Sequence, residues 1–316
     1  MLIIEVKNQY NQLDMKKPRL THPAPAPRVD DLMTRADALL ARLEHWLPLP
    51  ASSMDWQASI AFRWRKKTAQ GRLEPIHQVH RIDLRDLHGI NEQKELVERN
   101  TRQFIDGFPA NNVLLTGARG TGKSSLIKAL LNKYAPRGLR LIEVEKRDLT
   151  DLPDIVELIH ARPERYILYC DDLSFEADEP GYKALKVVLD GSVAAASENC
   201  LIYATSNRRH LMPEFMQENL EYQHVGEEIH PGETSEEKVS LSERFGLWVS
   251  FYPFDQDEYL DIVRVWLEHF KVPGGKSAEV EHAALQWALA RGSRSGRVAW
   301  QFARDWAGRM RLARRK

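Results

Sequence analysis

Cysteine is scarce: Cys170 and Cys200 are the only two among 316 residues. That excludes a disulfide-stapled scaffold. Each thiol sits beside an apolar, strand-like run, as free buried thiols of a reducing compartment do. An excess of charge of either sign is also missing, since 45 basic residues balance 45 acidic ones. Wholesale attraction to nucleic acid or to an anionic membrane is therefore not indicated, although a local patch stays open. No apolar run approaches the ~18 residues that cross a bilayer. The opening MLIIEVKNQY has no basic n-region and meets Glu5 after a few apolar residues, so it does not read as a secretory signal. A cytoplasmic location without membrane contact is the expectation. HVGEEIH (224–230) mixes histidine and glutamate but fits neither H-E-x-x-H nor H-x-x-E-H. It reads as a loop that meets a partner or another subunit.

What is present is ordinary for a globular chain: 43% hydrophobic and 28% charged residues, with length enough for two domains. Residues 1–28 end in THPAPAPR, where alternating prolines favour extended chain, and read as a tail or linker. Residues 29–87 read as a small N-terminal appendage. In it, Leu32, Leu39, Leu40, Leu43 and Trp46–Leu47 recur at helical spacing behind Asp30, a candidate N-cap, until PLPASS breaks the pattern. SIAFRW and IHQVHRIDL then suggest strands or an irregular arm.

From residue 88 to 253 strand and helix alternate, with strands expected at 112–116, 139–144, 166–170, 201–205 and 247–251. That alternation predicts an α/β fold with a parallel sheet covered on both faces. Residues 254–316 read as helical. Asp255, Ser277 and Ser295 are the expected caps of helices 256–270, 278–291 and 296–313, and Leu285, Trp287, Leu289, Trp300, Phe302 and Trp306 give these helices apolar faces.

The most specific signal is LLTGARGTGKSSL (114–126). Its spacing is G-x-x-x-x-G-K-[ST], the P-loop pattern, between a buried strand and a helix. Glycine lets the backbone take positive φ and approach a ligand without a Cβ in the way. Successive N–H groups and the helix start then cradle phosphate oxygens. Gly117, Ala118, Arg119, Gly120, Thr121 and Gly122, running into Lys123, Ser124 and Ser125, would hold ATP. Lys123 would reach the β- and γ-phosphates, and Ser124 would give its hydroxyl to Mg2+.

Strand YILYC ends in Asp171-Asp172, and strand LIYAT in Ser206-Asn207. Strands of a doubly wound sheet present their C-terminal ends to the ligand crevice. Asp171 can hold the Mg2+ that bridges phosphates, and Asp172 can align a water as general base. Asn207 can hydrogen-bond the γ-phosphate and that water.

Taken in order, Asn111–Ser125, YILYCDD, YATSNRR, SERFG and GSRSGRVAWQF resemble the Walker A, Walker B, sensor 1, arginine-finger and sensor 2 segments of AAA+ ATPases. CDDLSFE, EEIHPGE and SLSERFGLWVSFYPF extend the likeness to an uncharacterised bacterial AAA+ family, one of the domain-of-unknown-function groups, over residues 80–313. The resemblance implies a five-stranded parallel core, a C-terminal helical lid, a homo-oligomer and ATP hydrolysis that drives work on an unknown protein client. It makes Asn207 sensor 1, Arg244 a finger for a neighbour's site, and Arg297, or else Arg294, sensor 2. Leu87-His88-Gly89-Ile90 resembles the loop that helps hold adenine, and Arg208 and Arg209 could face the neighbour. Cys170 and Cys200 would lie on adjacent strands near opposite ends, ~16 Å apart, too far to bridge.

The chain departs from the family pattern at Asp172, where most AAA+ members carry glutamate. Its carboxylate is one methylene shorter, and misplacement near ~1 Å can cost ~10²-fold in rate. Glu176 is an alternative base. A nucleotide-gated switch with negligible hydrolysis is therefore the second expectation. Nucleic-acid loading, through FRWRKK (62–67) or RMRLARRK (309–316), is possible but not favoured.

Overall fold

The computed structural model describes residues 29–44, 55–66, 71–175, 179–190, 198–208, 211, 223–225, 228–230, 243–275 and 277–313. Contacts divide the chain into two units, Met1–Pro48 and Leu49–Lys316. The first contains helix α1 (Val29–Glu44). Asp30 lies inside that helix rather than capping it, and Leu32, Met33, Leu39 and Leu40 are exposed rather than packed. Trp46 and Leu47 fall outside the described residues.

The second unit begins its regular structure with β1 (Ala61–Lys66), β2 (Gly71–Pro75), α2 (Asn91–Ile105), β3 (Val113–Gly117), α3 (Lys123–Tyr134) and β4 (Leu139–Glu143). There follow α4 (Leu152–Ile159), β5 (Arg165–Cys170), α5 (Pro180–Asp190) and β6 (Cys200–Ser206). A small antiparallel pair, β7 (Gln223–Val225) and β8 (Glu228–His230), precedes β9 (Leu247–Phe251). Three helices end the chain: α6 (Gln256–His269), α7 (Ala278–Ala290) and α8 (Gly296–Ala313).

The sheet runs β2-β1-β4-β5-β6-β3-β9. All pairs are parallel except β1 with β2. The α/β class and the five expected strands are present, but the sheet has seven strands rather than five. The two extra ones come from the segment whose pattern suggested strands or an irregular arm. In β1, Phe62 and Trp64 turn inward, while Arg63 and Arg65 pair with Glu143 and Glu145 and Lys66 with Asp151. The basic stretch FRWRKK is thus neutralised by its own chain as far as Lys66. Within HVGEEIH, expected as a loop, His224–Val225 and Glu228–His230 belong to the β7–β8 strand pair.

The central strands are continuous apolar runs because helices cover both faces. Residues 113–116 and 166–170 are buried throughout. Leu115, Ile167 and Tyr169 pack with Leu126, Ile127 and Leu130 of α3 on one face. Leu114, Leu168 and Cys170 pack with Ile155 and Leu185, from α4 and α5, on the other. Register opposes Tyr166 to Cys200 and Cys170 to Ala204, so the cysteines stand near opposite ends of neighbouring strands, and both are free thiols.

The last three helices start where their caps predict. Asp255 and Glu258 form a reciprocal capping box at 2.8 and 2.9 Å. Ser277 accepts from Val280 N and Ser295 from Val298 N. Within α7, Ala284 and Ala288 carry the buried line, and Leu289 is 82% exposed, one residue round the helix from it. Among the described residues no helix is long and apolar enough to cross a membrane.

Candidate nucleotide-binding site

The turn from β3 into α3 is shaped by its glycines. Gly117 has φ +124°, and a Cβ there would lie 1.8 Å from the Phe251 carbonyl oxygen of β9. No other residue fits that approach. Gly120, at φ +78°, passes beneath the start of α8, where a Cβ would meet Ser295 Oγ at 2.8 Å.

Lys123 opens α3 and is only 6% exposed. Its Nζ donates to Gly117 O at 2.7 Å, Ala118 O at 2.8 Å and Asn207 Oδ1 at 3.1 Å. These acceptors are all neutral. Burial holds the Lys123 pKa below its ordinary 10.5, against the opposing pull of Asp172 and Asp171.

Asp171 and Asp172 follow β5 at its C-terminal end. Asp171 Oδ1 accepts from Ser124 Oγ at 2.9 Å and Thr205 Oγ1 at 2.5 Å. Burial opposes its ionisation, yet Thr205, Tyr169 and Ser124, with the charge of Lys128, keep its pKa below the ordinary carboxylate value. The Asp172 N–H donates to the same Thr205 oxygen at 2.9 Å. Asp172 is in the left-handed region, φ +54°, and its carboxylate accepts from Asn207 Nδ2. Arg119 Nη2 lies 3.9 Å from its other oxygen. Asn207 therefore links Lys123 to Asp172.

A cavity of about 830 Å3 opens above these groups. Arg119 through Ser125, Asp171, Asp172, Thr205 and Asn207 line its polar end. Ile90, Phe254, Ile262, Trp266 and Trp300 line an apolar end, with Leu87 and His88 alongside. Burial, and then Lys94, hold the His88 pKa below its ordinary value.

Arg297, in the first turn of α8, lines this cavity, and Arg294 is not among the lining residues. Arg244 lies before β9, away from the cavity, and pairs with Asp190 at the end of α5. Arg208 is exposed and also outside the cavity. Arg209 and Glu176 lie outside the described residues. Thr205, Trp266 and Trp300 were not foreseen. A polar residue inside the apolar strand LIYATS was the signal for Thr205. The two tryptophans needed the packing of α6 and α8 over the loop.

The donor set suits the groups that such a loop implies. Close-set hydroxyl and carboxylate oxygens at Ser124 and Asp171 fit a hard cation such as Mg2+. A glycine turn in the left-handed region leading into a helix start, with a buried ammonium, fits phosphate.

The family described as "Protein of unknown function (DUF815)" matches residues 57–310. No curated protein matches. Among solved structures, the Aeropyrum pernix Orc1 protein in complex with DNA is similar at 16% identity and a TM-score of 0.51, over 73% of this chain and 62% of that one. The Thermotoga maritima RuvB Holliday junction branch migration motor gives 16% and 0.43 over 72% and 64%. Replication initiator DnaA, bound to AMPPCP and single-stranded DNA, gives 17% and 0.44 over 67% and 60%. The matches thus span under two thirds of each relative's length, and only the Orc1 match, at 16% identity and a TM-score above 0.5, bears on the fold, and on the fold alone.

Proposed function

Since the chain belongs to the DUF815 family and has the AAA+ fold, we propose that it binds ATP with Mg2+ and hydrolyses it as a homo-oligomer. One observation carries the reading. Lys123 is a buried ammonium that makes no ion pair among the described residues and rests on three neutral oxygens. Burying a charge that has no direct ion pair is costly, Asp171 and Asp172 act on it only at a distance, and a bound polyphosphate would supply an anion in contact. Glycine N–H groups and the α3 dipole point to the same place.

In this reading Ser124 and Asp171 hold Mg2+, which neutralises phosphate charge when bound. Lys123 draws charge from the β- and γ-phosphates, and Arg297 reaches in from α8. Asp172 accepts a proton from the attacking water, and Asn207 fixes the carboxylate that does so. Arg244 acts on a neighbour's site, because its own chain keeps it away from the cavity. The adenine lies between Ile90 and the tryptophans. ATP-dependent movement of α6–α8 would then act on a macromolecular client of unidentified class.

A second reading, a nucleotide-gated switch that scarcely hydrolyses, is favoured by Asp172. The carboxylate is short and already bonded to Asn207. Steady-state phosphate release decides between them: a measurable Mg2+-dependent rate supports the ATPase, and tight ATP binding without release supports the switch.

A further inference from the structure

Strand β5 turns Tyr169 toward α3, with its ring packed among Leu126, Ile127 and Leu130. Directly opposite on β6 stands Tyr203. Both are buried, at 2% and 0% exposure, but their hydroxyls differ. Tyr203 OH accepts from Asn100 Nδ2 at 3.1 Å and shares a hydrogen bond with Thr101 Oγ1 at 2.9 Å. Tyr169 OH is buried and closes no hydrogen bond of full geometry, although it lies near enough to Ser124 and Asp171 for both to act on it as weak hydrogen-bonding neighbours. A bond left half-made is costly for a hydroxyl cut off from water.

The groups around that hydroxyl are those of the cation site. Ser124 and Asp171 are beside it, and Glu143 stands opposite on β4. Asp171 Oδ1 already accepts from Ser124 and Thr205. A third donor aimed at the same pair, its bond not closed, is a strange filling for a core position that phenylalanine would occupy more cheaply.

We propose that Tyr169 is a positioning residue for the divalent cation: its hydroxyl closes a hydrogen bond to the Asp171–Ser124 pair when that pair takes up its cation-holding arrangement. The inference rests on the nucleotide reading above. A bond made only in the loaded state adds to cation affinity, since a ligand gains from whatever it binds differentially. Partners of this outer kind typically change metal affinity 10- to 100-fold.

The test is a calorimetric titration of ATP, with and without Mg2+, into wild-type protein and Tyr169→Phe, with ligand-free melting measured beside it. The expected variant binds ATP without Mg2+ as wild type does, but gains roughly 10-fold less from Mg2+. Ligand-free, it melts at the same temperature or higher, because only an oxygen without a full hydrogen bond has gone. An unchanged Mg2+ dependence overturns the role. So does a lower ligand-free melting temperature, which would show the hydroxyl already bonded, by water or protein. Either result leaves nucleotide binding standing, whereas a wild type that binds no ATP removes both.

Discussion

Gly120 and Ser295 are in contact: a Cβ on Gly120 would lie 2.8 Å from Ser295 Oγ and 3.0 Å from Ser295 Cβ. The same Cβ would come within 3.3 Å of Arg297 Cβ. The glycine turn before α3 and the start of α8 thus touch, and α8 rests on glycine.

Gly120→Ala tests that seating. Positive φ costs an L side chain about 1–2 kcal/mol, and the methyl must also push α8 away. A melting temperature lower by roughly 2–8 °C is expected, with a larger loss of ATP affinity than strain alone gives. Wild-type ATP affinity in a destabilised variant would show that α8 does not help hold the nucleotide.

Lys123 gives a pH signature. Its pKa is lowered in the ligand-free fold, so the unfolded chain binds more protons between that value and 10.5. Stability therefore rises with pH across this window. Polyphosphate beside the ammonium pushes the pKa back up, so binding takes up protons there and weakens as pH rises. Calorimetry at alkaline pH in buffers of different ionisation heat measures the uptake. Lys123→Met should abolish it, and equal uptake in that variant would assign the proton elsewhere.

Asp172→Glu restores the missing methylene. If carboxylate reach limits turnover, phosphate release rises by roughly 10-fold or more while ATP affinity holds. An unchanged or lower rate would show that the left-handed backbone at Asp172, not side-chain length, sets the geometry.

Arg244→Ala should keep ATP affinity and lose about 10³-fold or more in turnover if it serves a neighbouring site. Mixing it with Lys123→Ala is the sharper measurement. Each variant supplies what the other lacks, so phosphate release should recover in the mixture alone. A mixture as inactive as its parts contradicts action between subunits.

Much of this was legible in sequence because the signals were local. Asp255, Ser277 and Ser295 announced three helix starts, and buried runs such as VLLT and YILYC marked central strands. The loop residues and both acids came together as their spacing implied. What escaped depended on partners distant in sequence. Strand β1 needs Glu143, Glu145 and Asp151 to neutralise its cations before FRWRK reads as strand. Leu289 looked buried until Ala284 and Ala288 set the packed line. Thr205 and Tyr169 read as strand filler: register between β5 and β6 brings the Thr205 hydroxyl to Asp171, and the two-residue spacing along β5 puts Tyr169 beside it.

The most direct measurement is calorimetric titration of ATP with Mg2+ into the wild-type chain and into Lys123→Ala. Saturable binding near one nucleotide per chain in wild type, lost in the variant, is the predicted result. No heat from wild type at millimolar ATP, or the same isotherm from both proteins, would contradict the account.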